Sequence, residues 1–179
     1  MSIQQLLQDQ QGAIGKEWIE AIFGTYPFDT VGFLRSQQNA FSNPVGAKTR
    51  KAVEVLVAAL ASGELESETI LPALDELIRV RAIQKFPPDK AMSIIFFLKT
   101  IIRKHATPLL GDVEACRQLR EMESAIDSLA LAGFRIYSDC RDKVQQLRVD
   151  EYKRQHSQLL RRAERILEKP VGEPDNENR

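Results

Sequence analysis

One helical pattern runs without a break through the last third of the chain, from about Val113 to about Leu167. No proline or cluster of turn residues interrupts it, and Gly133 is its only weak helix former of consequence. At about 1.5 Å per residue, about 50 residues form a helix about 75 Å long, which a domain of this size cannot bury completely. Such a helix must pair with a partner helix, remain polar and solvated, or transmit a signal. The pattern therefore favours regulation over chemistry.

The sequence ahead of this helix predicts five shorter helices, and no segment has the alternation of a β-strand. The first runs from about Ser2 to Phe23 and carries its apolar residues on one face: Leu7, Ile14, Trp18 and Ile22. A short second helix begins near Phe28. We predict an all-α fold: a compact five- to six-helix bundle, with a globin-like arrangement as one form of it, and a long C-terminal helix that extends out of the domain.

Capping and turn residues set the limits of the next three helices. Asn43 is a good N-cap and Pro44 suits the first helical position, so a third helix begins there and ends near Ser62-Gly63. A fourth ends before Pro87-Pro88, and Pro88 opens the fifth. Because its segment AMSIIFFLKTII is apolar nearly all round, we place the fifth helix at the centre of the core.

The long helix carries two apolar patterns that are displaced from each other by one residue. One has a three-four spacing, and the other is a four-three heptad pattern with polar members that include His156. Together they predict a helix interaction seam, whose main residues are Val144, Leu147, Tyr152, Leu159 and Ile166. The predicted organisation is a sensory or regulatory domain over 1–145, a protruding linker-type helix over 146–168, and a disordered tail over 169–179.

Composition and charge remove several classes of partner. Lysine plus arginine and aspartate plus glutamate number 25 each, so no net field attracts nucleic acid or an anionic membrane. The longest uncharged apolar stretch, Ala91 to Leu98, is far too short to span a membrane, and the N-terminus lacks a secretory signal pattern. Cys116 and Cys140 lie too far apart on one predicted helix to form a disulfide. We therefore expect a cytoplasmic protein with free thiols.

The sequence offers little for catalysis. It has only two histidines, and it contains no P-loop, dinucleotide fingerprint, HExxH or CxxC motif. We expect no enzyme activity, no metal site and no cofactor. His105 is interpreted as a residue that favours the C-terminal carbonyls of the fifth helix. The alternative is a haem- or small-ligand-binding sensor, in which His105 is the haem ligand and aromatic residues line the cavity: Trp18, Phe96, Phe97 and Phe134.

A polar cluster at the end of the fourth helix is the candidate site for a ligand or partner: Arg79, Arg81, Gln84 and Lys85. Several hydrogen-bond donors meet there directly before Pro87-Pro88, so an anionic group could dock on them. A surface network of salt bridges at the helix C-terminus accounts for the same residues. Both interpretations stay open at this point.

Five segments, read in order, resemble a known family: WIEAIFGTYP, FSNPVG, RVRAIQKFPPDKA, FFLKTIIR and LALAGFRIYSDCRDKVQQLRVDEYKR. They resemble the RsbRD-like N-terminal domain, which is found in RsbT co-antagonist proteins and in some bacterial sensor histidine kinases. The resemblance spans roughly residues 14 to 155. It implies an all-helical regulatory module, similar to the dimeric non-haem globin-like domains of stressosome proteins, whose C-terminal linker helix carries a signal to an output domain.

The resemblance leads to a specific expectation about function. We expect a non-catalytic bacterial signalling domain that acts through protein–protein interaction, as a homodimer with a protein partner. Because the helical pattern is followed by no STAS or kinase domain in this sequence, we expect the output to be delivered in trans. The resemblance carries over no catalytic residue and no ligand.

Overall fold

The computed structural model describes residues 2–37, 39–64 and 68–167, without the side chains of the last two. This part of the chain is helical and contains no strand. Its elements are α1 (Ile3–Phe23), α2 (Phe28–Ser36), α3 (Pro44–Ser62), α4 (Ile70–Ile83), α5 (Pro88–Ala106), a 3-10 turn (Thr107–Leu109) and α6 (Val113–Leu167). The predicted all-α fold with a long C-terminal helix is confirmed. The globin-like arrangement stays a prediction, and the predicted tail lies outside the described residues.

The chain divides into two structural units, Met1–Arg141 and Asp142–Arg179. The first unit holds α1 to α5 and the first half of α6. The described part of the second unit is the remainder of α6. The predicted division of roles between domain, linker helix and tail stays a prediction.

The core of the first unit lies between α1, α3, α4 and α5. The apolar face predicted for α1 is buried, and Trp18 at its centre is only 1% exposed. Its indole Nε1 donates a hydrogen bond of 2.6 Å to the carbonyl oxygen of Ile94 on α5. A buried indole N–H without a hydrogen-bond partner would destabilise the fold. This bond therefore holds α1 against α5 in addition to the apolar packing.

The first half of α6 packs on α5 through a close approach at Gly133. A Cβ atom at this position would lie 2.9 Å from Cδ1 of Ile95, so glycine allows the two helices to meet. Ion pairs flank the contact, with Lys99 2.9 Å from Asp127. The one weak helix former in the long pattern therefore has a packing role.

Asn43 joins the end of α2 to the start of α3. Its Oδ1 accepts a 2.8 Å bond from the amide of Gly46, which caps α3 as predicted, with Pro44 at the first helical position. Its Nδ2 donates to the carbonyls of Leu34 and Gln37 at 3.1 and 2.8 Å. The side chain is 1% exposed, so all three bonds are shielded from water.

We expect Asn43→Ala to lower the free energy of unfolding by about 3 kcal/mol, because a cap is lost and two carbonyls lose a donor. Asn43→Asp should cost less, since it keeps the acceptor for Gly46. Ser2→Ala, which removes the solvent-exposed cap of α1, should cost about 1 kcal/mol. Urea unfolding measures all three variants. If Asn43→Ala and Ser2→Ala lowered the free energy of unfolding by the same amount, the result would contradict the shielding of the Asn43 hydrogen bonds from water.

Candidate functional site

The predicted seam forms an apolar face on the second unit. Leu147, Tyr152 and Leu159 are 70%, 63% and 58% exposed, and Val144 is half-buried. A shallow groove of about 460 Å³ lies along this face, and its lining consists of Val144, Leu147, Arg148, Glu151, Tyr152 and Gln155. The side chain of Ile166 lies outside the described residues. The structure thus brings together the first members of the seam.

The polar side chains of this segment mostly bond within the helix. Arg154 pairs with Glu151, and Gln146 donates a 2.9 Å bond to Asp150 one turn further along. The ring centroids of His156 and Tyr152 lie 4.5 Å apart. These contacts satisfy polar groups and leave the apolar side chains of the seam facing solvent. A solvent-facing apolar stripe on a polar helix is typical of an interaction surface.

The predicted polar cluster at the end of α4 is divided by the structure. Arg79 points outward and forms a bidentate pair with Asp75, at 2.6 and 2.8 Å. Lys85 is exposed and has a φ of 62°, in the left-handed region that favours glycine. Arg81 and Gln84 instead meet Tyr26, whose hydroxyl donates a 3.0 Å bond to Gln84. Binding of a ligand or partner by the four residues stays a prediction.

Arg81 is a buried cation without a carboxylate partner among the described residues. The residue is 1% exposed, and its guanidinium carbon lies 4.1 Å from the ring centroid of Phe86 and 5.4 Å from that of Tyr26. Its Nη2 donates to Oγ1 of Thr25 at 2.7 Å and to the Lys90 carbonyl at 3.3 Å. Nε and Nη1 have no partner in the described part of the chain.

Burial dominates the electrostatics of this cluster. Desolvation lowers the pKa of Arg81 below its ordinary value, and desolvation raises the pKa of Tyr26. The quadrupoles of the two aromatic rings partly replace the solvation that the guanidinium loses. The cluster also reaches α6, because the hydroxyl of Tyr137 donates a 2.6 Å bond to the carbonyl of Phe86. It therefore joins the segments around the ends of α1 and α4 to α5 and α6, which gives Arg81 a structural role.

His105 lies at the surface between α1 and α5. Its Nδ1 contacts Oε1 of Gln10, and its Nε2 is 3.1 Å from Oε2 of Glu17. Glu17 also accepts a 2.7 Å bond from Nζ of Lys104. Both ring nitrogens are therefore engaged by α1, and iron ligation would require one contact to break. The haem alternative stays a prediction.

The four aromatic residues of that alternative do not share an enclosed cavity in the described structure. Trp18 is buried in the core, whereas Phe96 and Phe134 are 45% and 51% exposed. Phe97 is half-buried. The fifth helix contributes eight buried residues to the core, but it is not enclosed on all sides, because it presents Phe96 to solvent. Phe96 and Phe134 are thus exposed apolar side chains of the first unit, as is Leu131 on α6.

Sequence reasoning missed a second group of exposed aromatics. Phe28 and Phe41 are 93% and 96% exposed, and Phe33 on α2 is 48% exposed. The predicted second helix begins at Phe28, but α2 ends at Ser36, so Phe41 lies outside it. The segment FSNPVG indicates that Phe41 lies outside a helix, because the N-cap at Asn43 requires the chain to leave the helical conformation.

Residues 12–152 match the family described as the RsbT co-antagonist protein rsbRD N-terminal domain. The chain belongs to this family. No curated protein and no solved structure matches it. The RsbRD N-terminal family is regulatory, and the matched range includes the Arg81 cluster and the start of the seam.

Two further properties concern the described residues alone. No helix in this part of the chain combines the length and the apolar character that a membrane span requires. In the same part, no group of three or more histidine, cysteine or acidic side chains is placed to hold a metal ion.

The structural role of Arg81 predicts an unusual order of stability among variants. Arg81→Met fills a similar volume without a buried charge and should change the free energy of unfolding by less than about 1 kcal/mol. Thr25 Oγ1 still donates to Ile22, and the Lys90 carbonyl still accepts from Ser93. Arg81→Lys keeps the charge but loses the planar stacking, and should cost about 2 to 3 kcal/mol. Chemical denaturation that finds lysine better tolerated than methionine would contradict this account.

The contacts of Glu17 predict a weak dependence of stability on pH. Hydrogen bonds from Lys104 and then His105 lower the pKa of Glu17 below its ordinary value of 4.5. The carboxylate therefore stabilises the fold above about pH 4.5, and its contribution is lost as the pH falls through the lower folded-state pKa. Because these groups are partly exposed, the contribution is about 0.5 kcal/mol.

Unfolding of wild type and Glu17→Gln over the acid range tests this. The difference in free energy should shrink as the pH falls below 4.5. It should be smaller at all pH values in a Lys104→Met background, because the main hydrogen-bond donor is removed. If the difference in free energy between wild type and Glu17→Gln grew as the pH fell, the result would contradict this role of Glu17.

Proposed function

We propose that this chain is a non-catalytic, cytoplasmic regulatory domain of bacterial signalling that acts by protein–protein interaction through the seam. It forms a homodimer and transmits its state to a partner protein in trans, in regulation of the stressosome or anti-sigma type. Membership of the RsbRD N-terminal family supports the regulatory role. The exposed apolar face of Leu147, Tyr152 and Leu159 is the observation that carries the proposed mode of action.

The shape and chemistry of the seam support association with another helix. Tyr152, Leu159 and Ile166 recur at heptad spacing, which is the geometry that allows side chains of two helices to interlock. Each large aliphatic side chain that becomes fully buried contributes roughly 1.5 to 3 kcal/mol. Two or three such residues from each helix give a modest association, which suits a contact that forms and breaks during regulation.

The first unit supplies a second surface for self-association. Leu131 and Phe134 on α6, and Phe96 on α5, are each between 45% and 74% exposed. Aromatic side chains that bury large areas dominate the energetics of interfaces. In the proposed homodimer these side chains add free energy of association. The seam of the second unit forms the contact between the two protomers, and a helix of the partner protein replaces that contact when it binds.

Two adjacent leucines provide a matched test of the seam. Leu159 lies in the heptad pattern and is 58% exposed, whereas Leu160 is 63% exposed and lies outside it. We expect Leu159→Gln to weaken dimerisation about tenfold or more, because at least about 1.5 kcal/mol of apolar burial is lost. Leu160→Gln should leave dimerisation unchanged. Analytical ultracentrifugation over a range of concentrations measures both constants.

Circular dichroism and thermal unfolding serve as controls, because both leucines are exposed and neither change should affect folding. Equal dimerisation constants for the two variants would show that the seam is not the contact. A monomeric wild-type protein at all concentrations would overturn the homodimer.

A further inference from the structure

A cleft opens on the first unit between α1 and α3, on a face that the proposed function does not use. Its volume is about 700 Å³, within the range of small-molecule sites. Apolar side chains from both helices form part of its lining: Ile19, Phe23, Val53 and Val57. Charged side chains complete it: Lys16, Glu20, Arg35, Arg50 and Glu54. The cleft therefore offers both apolar contact and charged groups that can fix the orientation of a ligand.

Arg50 on α3 is the anchoring group of the cleft. Its Nη2 donates a 2.7 Å bond to the carbonyl of Leu34, and its guanidinium carbon lies 5.3 Å from the ring centroid of Phe23. These two contacts hold the guanidinium in place. Its Nη1 is buried and has no hydrogen-bond partner among the described residues. A guanidinium fixed with an unused donor binds a carboxylate with little loss of side-chain entropy.

The charges of the lining favour a ligand with a single negative charge. Glu20 is occupied by Arg35, whose Nε lies 2.8 Å from the carboxylate. Lys16 and Arg50 remain, opposed by Glu54 alone. The small excess of positive charge complements one carboxylate, whereas a nucleotide or another polyanion would meet two acidic side chains.

Gly12 on α1 leaves exposed backbone at the wall of the cleft, whereas Gly15, one turn further along, is buried. A Cβ atom at Gly12 would meet nothing within 4 Å, and one at Gly15 would meet only Cγ1 of Val53, at 3.7 Å. Backbone without side chains allows a flat group to approach a helix closely. The rings and aliphatic groups around Phe23 offer it further apolar contact.

We infer that this cleft binds an aromatic monocarboxylate, whose ring lies against α1 at Gly12 and whose carboxylate pairs with Arg50. The site is separate from the seam, from His105 and from the Arg81 cluster. Ligand binding at this site is measured without any protein partner. A failure of this inference can therefore be told apart from a failure of the proposed function.

The probe for this site is 2-naphthoate, with the neutral 2-naphthamide as the matched ligand control. Isothermal titration of the full-length protein should give one saturable site per chain for naphthoate, in the millimolar range or tighter. The amide should bind at least tenfold more weakly, because it lacks the charge that pairs with Arg50. Equal affinity for the two compounds overturns the carboxylate assignment, and the absence of naphthoate binding overturns the proposal.

Variants of α1 and α3 locate the binding. Gly12→Leu should reduce the affinity for naphthoate at least tenfold, because the side chain enters the cleft. It also replaces glycine by a better helix former, so the fold should be retained. Ala13→Leu is the control, since Ala13 is exposed and does not line the cleft. Arg50→Lys should also weaken binding, because it keeps the charge without the planar fork.

Wild-type affinity in the Gly12→Leu variant would show that naphthoate binds elsewhere and would overturn the assignment. The same holds if Ala13→Leu weakens binding as much as Gly12→Leu does.

Discussion

The first unit must accommodate one guanidinium that is buried without a carboxylate partner in the described structure. Arg81 lies between two aromatic rings and donates to a threonine hydroxyl and a backbone carbonyl. A buried charge is costly, so the groups around it must be held in place by other contacts. The bond from Tyr137 to the Phe86 carbonyl does this from α6, and the bond from Tyr26 to Gln84 does it from the end of α1. The ends of α1 and α4 and the start of α5 therefore meet the middle of α6.

The limits of the helices were predictable from sequence because they depend on neighbouring residues. The cap at Asn43, the start at Pro44 and the left-handed stop at Gly63, whose φ is 78°, are local features with specific residue requirements. The long helix was predicted from the absence of such signals between Val113 and Leu167. Periodicity likewise identified the buried face of α1, where Trp18 lies in the core.

The candidate sites were harder to predict, because they depend on contacts between residues distant in sequence. Arg79 and Arg81 are two positions apart on α4, so they face different directions, and only the packing of α1 and α5 buries the second. Composition treats both as surface cations. The cleft was missed for the same reason, since Gly12 and Arg50 belong to different helices and neither carries a motif.

The cleft and the Arg81 cluster have no residue in common, but they lie on either side of the turn that follows α1, and this adjacency gives the inferred ligand site a route to the core. Phe23, which holds the guanidinium of Arg50, accepts a 3.0 Å backbone bond from Tyr26. Tyr26 in turn packs on Phe86 with ring centroids 5.1 Å apart. A ligand that displaces Phe23 must therefore also shift the turn from Phe23 to Tyr26, or the packing of Tyr26 on Phe86 resists the displacement. Because packed interiors respond to such displacement by discrete rearrangement, a small change at Phe23 has a physical path to the helices that meet at Arg81.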